Sequence, residues 1–105
     1  MRGESEKIMN FGRILKWARK ESNLSLTALA KKIGRPNSKG YLSMLENGVA
    51  PPPSAAVVTK LARVLHVNPS ELLLIAYAEK APKSIRGWVS ILVADAIRTI
   101  PSVLL

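Results

Sequence analysis

Pro51, Pro52 and Pro53 follow one another at the middle of a 105-residue chain. Three consecutive prolines forbid helix and favour an extended crossing of the surface. On both sides of that crossing the apolar residues recur at the three-and-four spacing of amphipathic helices, and nowhere with the alternation of a strand. No internal repeat or low-complexity tract is present. The chain therefore reads as all-α, with one small domain and an appendage.

Phe11, Ile14, Leu15 and Ala18 set a first helix ending near Ser22 or Asn23; Trp17 lies off that stripe and is expected to pack half-exposed. Met1 to Met9 is expected to fray. A second helix runs from Ser25, a cap, through Leu29, Ala30 and Ile33 to a stop at Gly34, and Arg35-Pro36-Asn37 forms a turn. After a third helix and the prolines, Ser54 caps a fourth carrying Val57, Val58, Leu61, Ala62 and Leu65. His66-Val67 breaks it. Asn68, Pro69 and Glu71 then give a helix start, with Asn at the cap and Pro at the first position, for a fifth helix holding Leu72, Leu73, Ile75 and Ala76. Lys80 to Ser84, with Pro82, reads as a linker. Beyond it Ile85, Trp88, Val89, Leu92, Val93, Ala96, Ile97 and Ile100 form the apolar stripe of a sixth helix. Residues 10–79 thus make one domain and residues 84–105 a C-terminal amphipathic segment.

The third helix, residues 38 to 48, is the most telling. Ser38 can cap its start and Gly48 can end it in the left-handed conformation. Leu42 and Leu45 face a core, and Glu46 falls beside them. The other side carries Lys39, Gly40, Ser43, Met44 and Asn47, short or flexible residues with no acid among them. A helix that reads base edges in the major groove needs this division, a rigid inner anchor and an outer face that can approach closely. A surface helix of an ordinary α-helical domain would show the same division, so charge has to weigh in. The chain carries sixteen Lys and Arg against seven Asp and Glu, a net +9. Asn10 to His66 holds ten of those bases against two acids, a net +8, which points toward a polyanion.

Leu24-Ser25 with Leu29-Ala30 and Ile33-Gly34, then Tyr41-Leu42-Ser43 and Leu45-Glu46-Asn47-Gly48 with Pro53, then Leu61-Ala62 and Leu65 with Asn68-Pro69 and Glu71-Leu72-Leu73, stand in one order. In that order they resemble the Cro/repressor, or XRE-type, helix-turn-helix family. The resemblance implies a five-helix domain that binds double-stranded DNA. It implies that Ser38 caps the reading helix, that Lys39 and Gly40 touch bases, and that Ser43 and Met44 sit one turn along the groove. Asn47 and the backbone after Gly48, with Tyr41, match phosphate-holding positions. Arg19 and Glu46 match a structural ion pair between the first and third helices. Leu26 departs from the family, standing where many members have a Gln that braces the reading helix. The turn from Gly34 to Ser38 is longer than in phage repressors. Gly40 offers no side chain, so backbone contacts or DNA shape must supplement Lys39, Ser43 and Met44.

Lys31, Lys32 and Arg35 read as phosphate contacts, over the alternative of a solvated face complementing the helix dipole. Lys60 and Arg63 read as solvated, and Arg13 and Lys16 are undecided. His66, the sole histidine, stands where many relatives close the fourth helix with glycine, and a capping or packing role is expected. With one histidine, one aspartate and no cysteine the chain offers no catalytic triad, metal cluster or cofactor site, and it is read as no enzyme. Met1 to Phe11 lacks the apolar core of a signal peptide, so a cytoplasmic protein is expected.

The stripe from Ile85 to Ile100 can fold back on the domain, pair with a second copy or lie on a membrane. A homodimer is preferred, because such readers bind two-fold half-sites. Asp95, Arg98 and Pro101 argue against a membrane span. The expectation is a dimeric repressor. The alternative is an antitoxin or other interaction module, whose C-terminal helix meets a toxin, protease or sensor protein while DNA binding only autoregulates.

Overall fold

A computed structural model describes residues 11–105; the segment expected to fray lies outside them. Six α-helices follow in order: α1 (Phe11–Glu21), α2 (Leu26–Lys32), α3 (Lys39–Glu46), α4 (Ala55–Leu65), α5 (Pro69–Lys80) and α6 (Lys83–Ala96), with a short 3-10 turn at Ser102–Leu104. α1 packs on α3 and α5, α2 on α3, and α5 on α4 and α6. The core is built of the side chains that the helical spacing selects, with Ile14, Leu15, Leu29, Leu42, Leu61 and Ile75 wholly removed from water.

Local chemistry sets most helix ends. The Ser25 hydroxyl accepts the Ala28 N–H at 3.0 Å, and the Asn68 side-chain oxygen accepts the Glu71 N–H at 3.1 Å. Each such cap is worth about 1 kcal/mol. α1 and α4 close on left-handed residues, Asn23 (φ 56°) and His66 (φ 59°). The turn at each brings the following N–H back across the helix end: Leu24 to the Arg19 carbonyl at 3.2 Å, Val67 to the Ala62 carbonyl at 2.9 Å. His66 is itself exposed, and its place is that of a cap.

Two features differ from what the sequence suggests. Ser38 precedes α3 but its hydroxyl caps nothing; it donates to the Arg35 carbonyl at 2.7 Å, and the Ser38 N–H bonds the same oxygen at 3.0 Å. The turn from Arg35 to Ser38 closes on itself and consumes the group that would have capped the helix. The second difference is the end of α6. The stripe continues at helical spacing to Ile100, yet the helix stops at Ala96 and Ile97 is extended (ψ 133°). Glu71, in the first turn of α5, is the cause: its carboxylate accepts the Arg98 N–H at 2.9 Å, the Thr99 N–H at 3.0 Å and the Thr99 hydroxyl at 2.6 Å. Those N–H groups bond a distant carboxylate in place of the preceding helical turn. Burial alone would raise the Glu71 carboxyl, but the bonds from Thr99 and Arg98, with the Arg98 charge, outweigh it and hold the group below its ordinary value.

The predicted single stripe is consequently divided. Val93, Ile97 and Ile100 are buried in this chain's own core, and Val89 is half-buried. Ile85, Trp88, Leu92 and Ala96 stay in solvent.

Candidate nucleic-acid interface

α3 is pinned from beneath at three points. Leu42 and Leu45 are buried in the core. Glu46, also buried, receives Nε and Nη2 of Arg19 at 2.6 and 3.0 Å, a two-pronged charge-assisted bridge between α3 and α1. The remaining prong of Arg19, Nη1, donates to the Leu24 carbonyl at 2.8 Å, so one guanidinium joins α1, the loop into α2 and the end of α3. Its hydrogen bond to Glu46 raises the Arg19 pKa further, against the effect of burial. The bridge neutralises the only acid of the helix.

Gly12 supplies the third point, and sequence reasoning passed over it. A Cβ there would come 2.8 Å from the Glu46 carbonyl oxygen and closer still to that of Leu45. Backbone of α1 thus lies directly on backbone of α3, which only glycine permits. A glycine inside an apolar-periodic helix is the available signal, since it weakens the helix unless close approach requires it.

The upper side of α3 is open. Lys39, Gly40, Tyr41, Met44 and Asn47 are exposed and Ser43 is half-exposed. Asn47 Nδ2 lies 3.4 Å from the Ser43 hydroxyl. A Cβ on Gly40 would meet nothing, so the fold itself has no need of glycine there. Gly48 follows in the left-handed region (φ 73°), and the N–H groups of Val49 and Ala50 both return to the Met44 carbonyl. Lys31 and Lys32 at the end of α2, and Arg35 in the turn, are exposed on the approach to α3, with Ser38 half-buried beside them. Trp17 is half-buried and lines a groove of about 590 Å³ with Leu24, Lys32 and His66.

A short helix locked from below, with its outer face free and bases leading into it, is the second half of a helix-turn-helix. A family profile described as helix-turn-helix matches residues 15–72, more than half of the chain. The chain belongs to the Cro/repressor-type helix-turn-helix family. No curated protein and no solved structure matches it. The family is one of DNA-binding transcriptional regulators and not of enzymes. Among the described residues no helix is long and apolar enough to cross a membrane, and no three potential ligands gather to hold a metal ion.

Proposed function

We infer that this helix-turn-helix protein is a sequence-specific regulator that acts as a dimeric repressor, with α3 in the major groove and occupancy of the operator excluding polymerase. The observation that carries this reading is the α3 arrangement. Arg19, Glu46 and Gly12 hold the helix from below while Lys39, Gly40 and Met44 remain uncommitted above it, beside Ser43, whose hydroxyl meets only the Asn47 side chain of the same helix end. Lys31, Lys32, Arg35, Tyr41 and Asn47 are then the phosphate contacts that fix its register.

Footprinting of the strongest genomic fragment retained by the purified protein at moderate salt tests the reading. Protection of a two-fold site is the expected result. Salt-sensitive binding everywhere with no footprint would overturn it. Lys39→Ala should weaken specific binding more than non-specific binding, because a base contact is lost only on the correct DNA; equal loss on both would make Lys39 a phosphate contact. A second reading draws on the apolar residues that α6 leaves in solvent: a partner-binding module such as an antitoxin, whose operator binding only autoregulates. Co-purification of a stoichiometric small protein, abolished by Trp88→Lys, is the result that would favour it.

A further inference from the structure

The groove beside Trp17, about 590 Å³ in volume, is walled by α1, the loop that follows it and the ends of α2 and α4. That volume lies within the roughly 300–1,000 Å³ of small-molecule sites. Its floor is apolar: Ala18, Leu65 and Val67 are buried, and Leu24 and Val64 are half-buried. Trp17 is half-buried as well, so part of its indole forms an open wall.

Two opposite charges stand at its rim. Glu21 follows Trp17 by four residues, on the same face of α1, and Lys32 closes α2. Both line the groove and both are exposed. They form no ion pair with each other or with any other described residue. An exposed pair gains little by closing, so both charges are available to a guest. α1 and α4 end at the groove, at Glu21 and Leu65, and the partial negative charge of those ends adds to Glu21 in favouring an ammonium. Lys32 favours a carboxylate. A phosphate or a simple carboxylic acid meets Glu21 without compensation, and a simple amine meets Lys32 in a chain of net charge +9. A guest with one charge of each sign and an apolar body suits all of these groups together.

We propose that this groove binds a free amino acid with an aliphatic or aromatic side chain. Its ammonium lies between the Glu21 carboxylate and the Trp17 ring, its carboxylate meets Lys32, and its side chain rests on Ala18, Leu65 and Val67. Occupancy has a route to α3. Leu24 lines the groove, and its carbonyl accepts Arg19 Nη1 at 2.8 Å, while the same guanidinium bonds Glu46. Lys32 is also a proposed phosphate contact, and a carboxylate seated on it takes that base from DNA. The loaded protein should therefore hold DNA several-fold less tightly. That consequence rests on the proposed binding of DNA, whereas the site itself does not.

Calorimetric titration of the whole chain with L-leucine and L-phenylalanine tests the site. Saturable binding is expected, about tenfold tighter for leucine than for isocaproate, which lacks the amine, or isopentylamine, which lacks the carboxylate. Glu21→Gln should reduce leucine to the level of isocaproate, and Lys32→Gln to that of isopentylamine. Both positions are exposed, so the helical circular dichroism should be unchanged. The chain has two tryptophans and Trp88 is 75% exposed; in Trp88→Phe the emission of Trp17 should shift over the same concentrations. No saturable heat up to about 10 mM of either amino acid would overturn the proposal, as would an analogue that binds as well as leucine, or binding indifferent to both groove variants. Anisotropy of a labelled duplex with and without leucine reads the coupling. Leucine binding with unchanged DNA affinity would keep the site and remove Lys32 from the phosphate contacts; leucine binding by a chain that leaves no footprint would sink the repressor reading alone.

Discussion

α3 and α6 are both amphipathic helices with an apolar inner side, and they are attached in opposite ways. α3 is fixed by contacts that leave no space: backbone against backbone at Gly12, and a guanidinium bridging three segments at Arg19. α6 is attached by Val93, with Val89 and Ser90 along the same side, and by the segment that follows it, clasped by one carboxylate, Glu71. The difference teaches that burial of an inner face does not by itself determine how firmly a helix is held. What lies directly beneath it does. Contacts that leave no space beneath a helix fix its height as well as its direction, whereas attachment along one side fixes little more than direction.

The sharpest way to break the comparison is Gly12→Ala, which should cost about 3 kcal/mol or more, since the obstacle is backbone that cannot rotate away. Urea unfolding measures it, and a loss under 1 kcal/mol would show that α3 has slack. Arg19→Met should cost about 3 kcal/mol, because Glu46 is left buried and unpaired; adding Glu46→Met should recover much of that loss. Glu71→Gln should cost less, about 1–3 kcal/mol, and hydrogen exchange should rise at residues 97–100 while α3 stays protected. Exchange rising in both helices would mean that the two are not independently held.

The same carboxylate gives a pH dependence. Glu71 titrates below its ordinary value, so its contribution is fully present above that value and is lost as pH falls through the folded one. Glu79 is shifted the other way: burial raises it against the Phe11 N–H and the Arg86 charge. The folded state then binds its proton more tightly than the unfolded chain does, and stability falls as pH rises through that raised value. Thermal melts of Glu71→Gln and Glu79→Gln from neutral to acid pH should therefore deviate from the parent with opposite slopes.

Gly40→Ala sharpens the comparison with a smaller effect. The fold should gain about 0.5–1 kcal/mol, because nothing surrounds the new methyl, while operator affinity falls. Gain in both would remove Gly40 from the reading surface. His66→Gly should stabilise by up to about 1 kcal/mol, and Asn23→Gly by less, since asparagine already tolerates the left-handed region.

What could be read in advance follows from the range of the forces. Ser25, Ser54 and Asn68 act on N–H groups three residues away, so their caps are legible in the sequence, as are the apolar faces they begin. Ser38 looked identical, but the neighbouring turn claimed its hydroxyl. Ile97 and Ile100 fit helical spacing and reach the core by another route, because Glu71 lies 27 and 28 residues from the N–H groups it takes. Gly12 gave only the weak signal of a glycine out of place. On α3, spacing and resemblance put Lys39, Gly40, Ser43, Met44 and Asn47 on one side of one helix. The loop carbonyl that Arg19 also holds had no pattern to announce it.

The bond from the Phe11 N–H to the Glu79 carboxylate, 2.6 Å long and spanning 68 residues, has a consequence for synthesis. On the ribosome α3 is made well before Glu79 appears, so until then the first N–H of α1 lacks this partner. A nascent or truncated chain that stops at residue 72, where the family match ends, carries the whole helix-turn-helix and lacks the lid on the helix beneath it. The contact that fixes the first turn of α1 can therefore form only once α5 has been made.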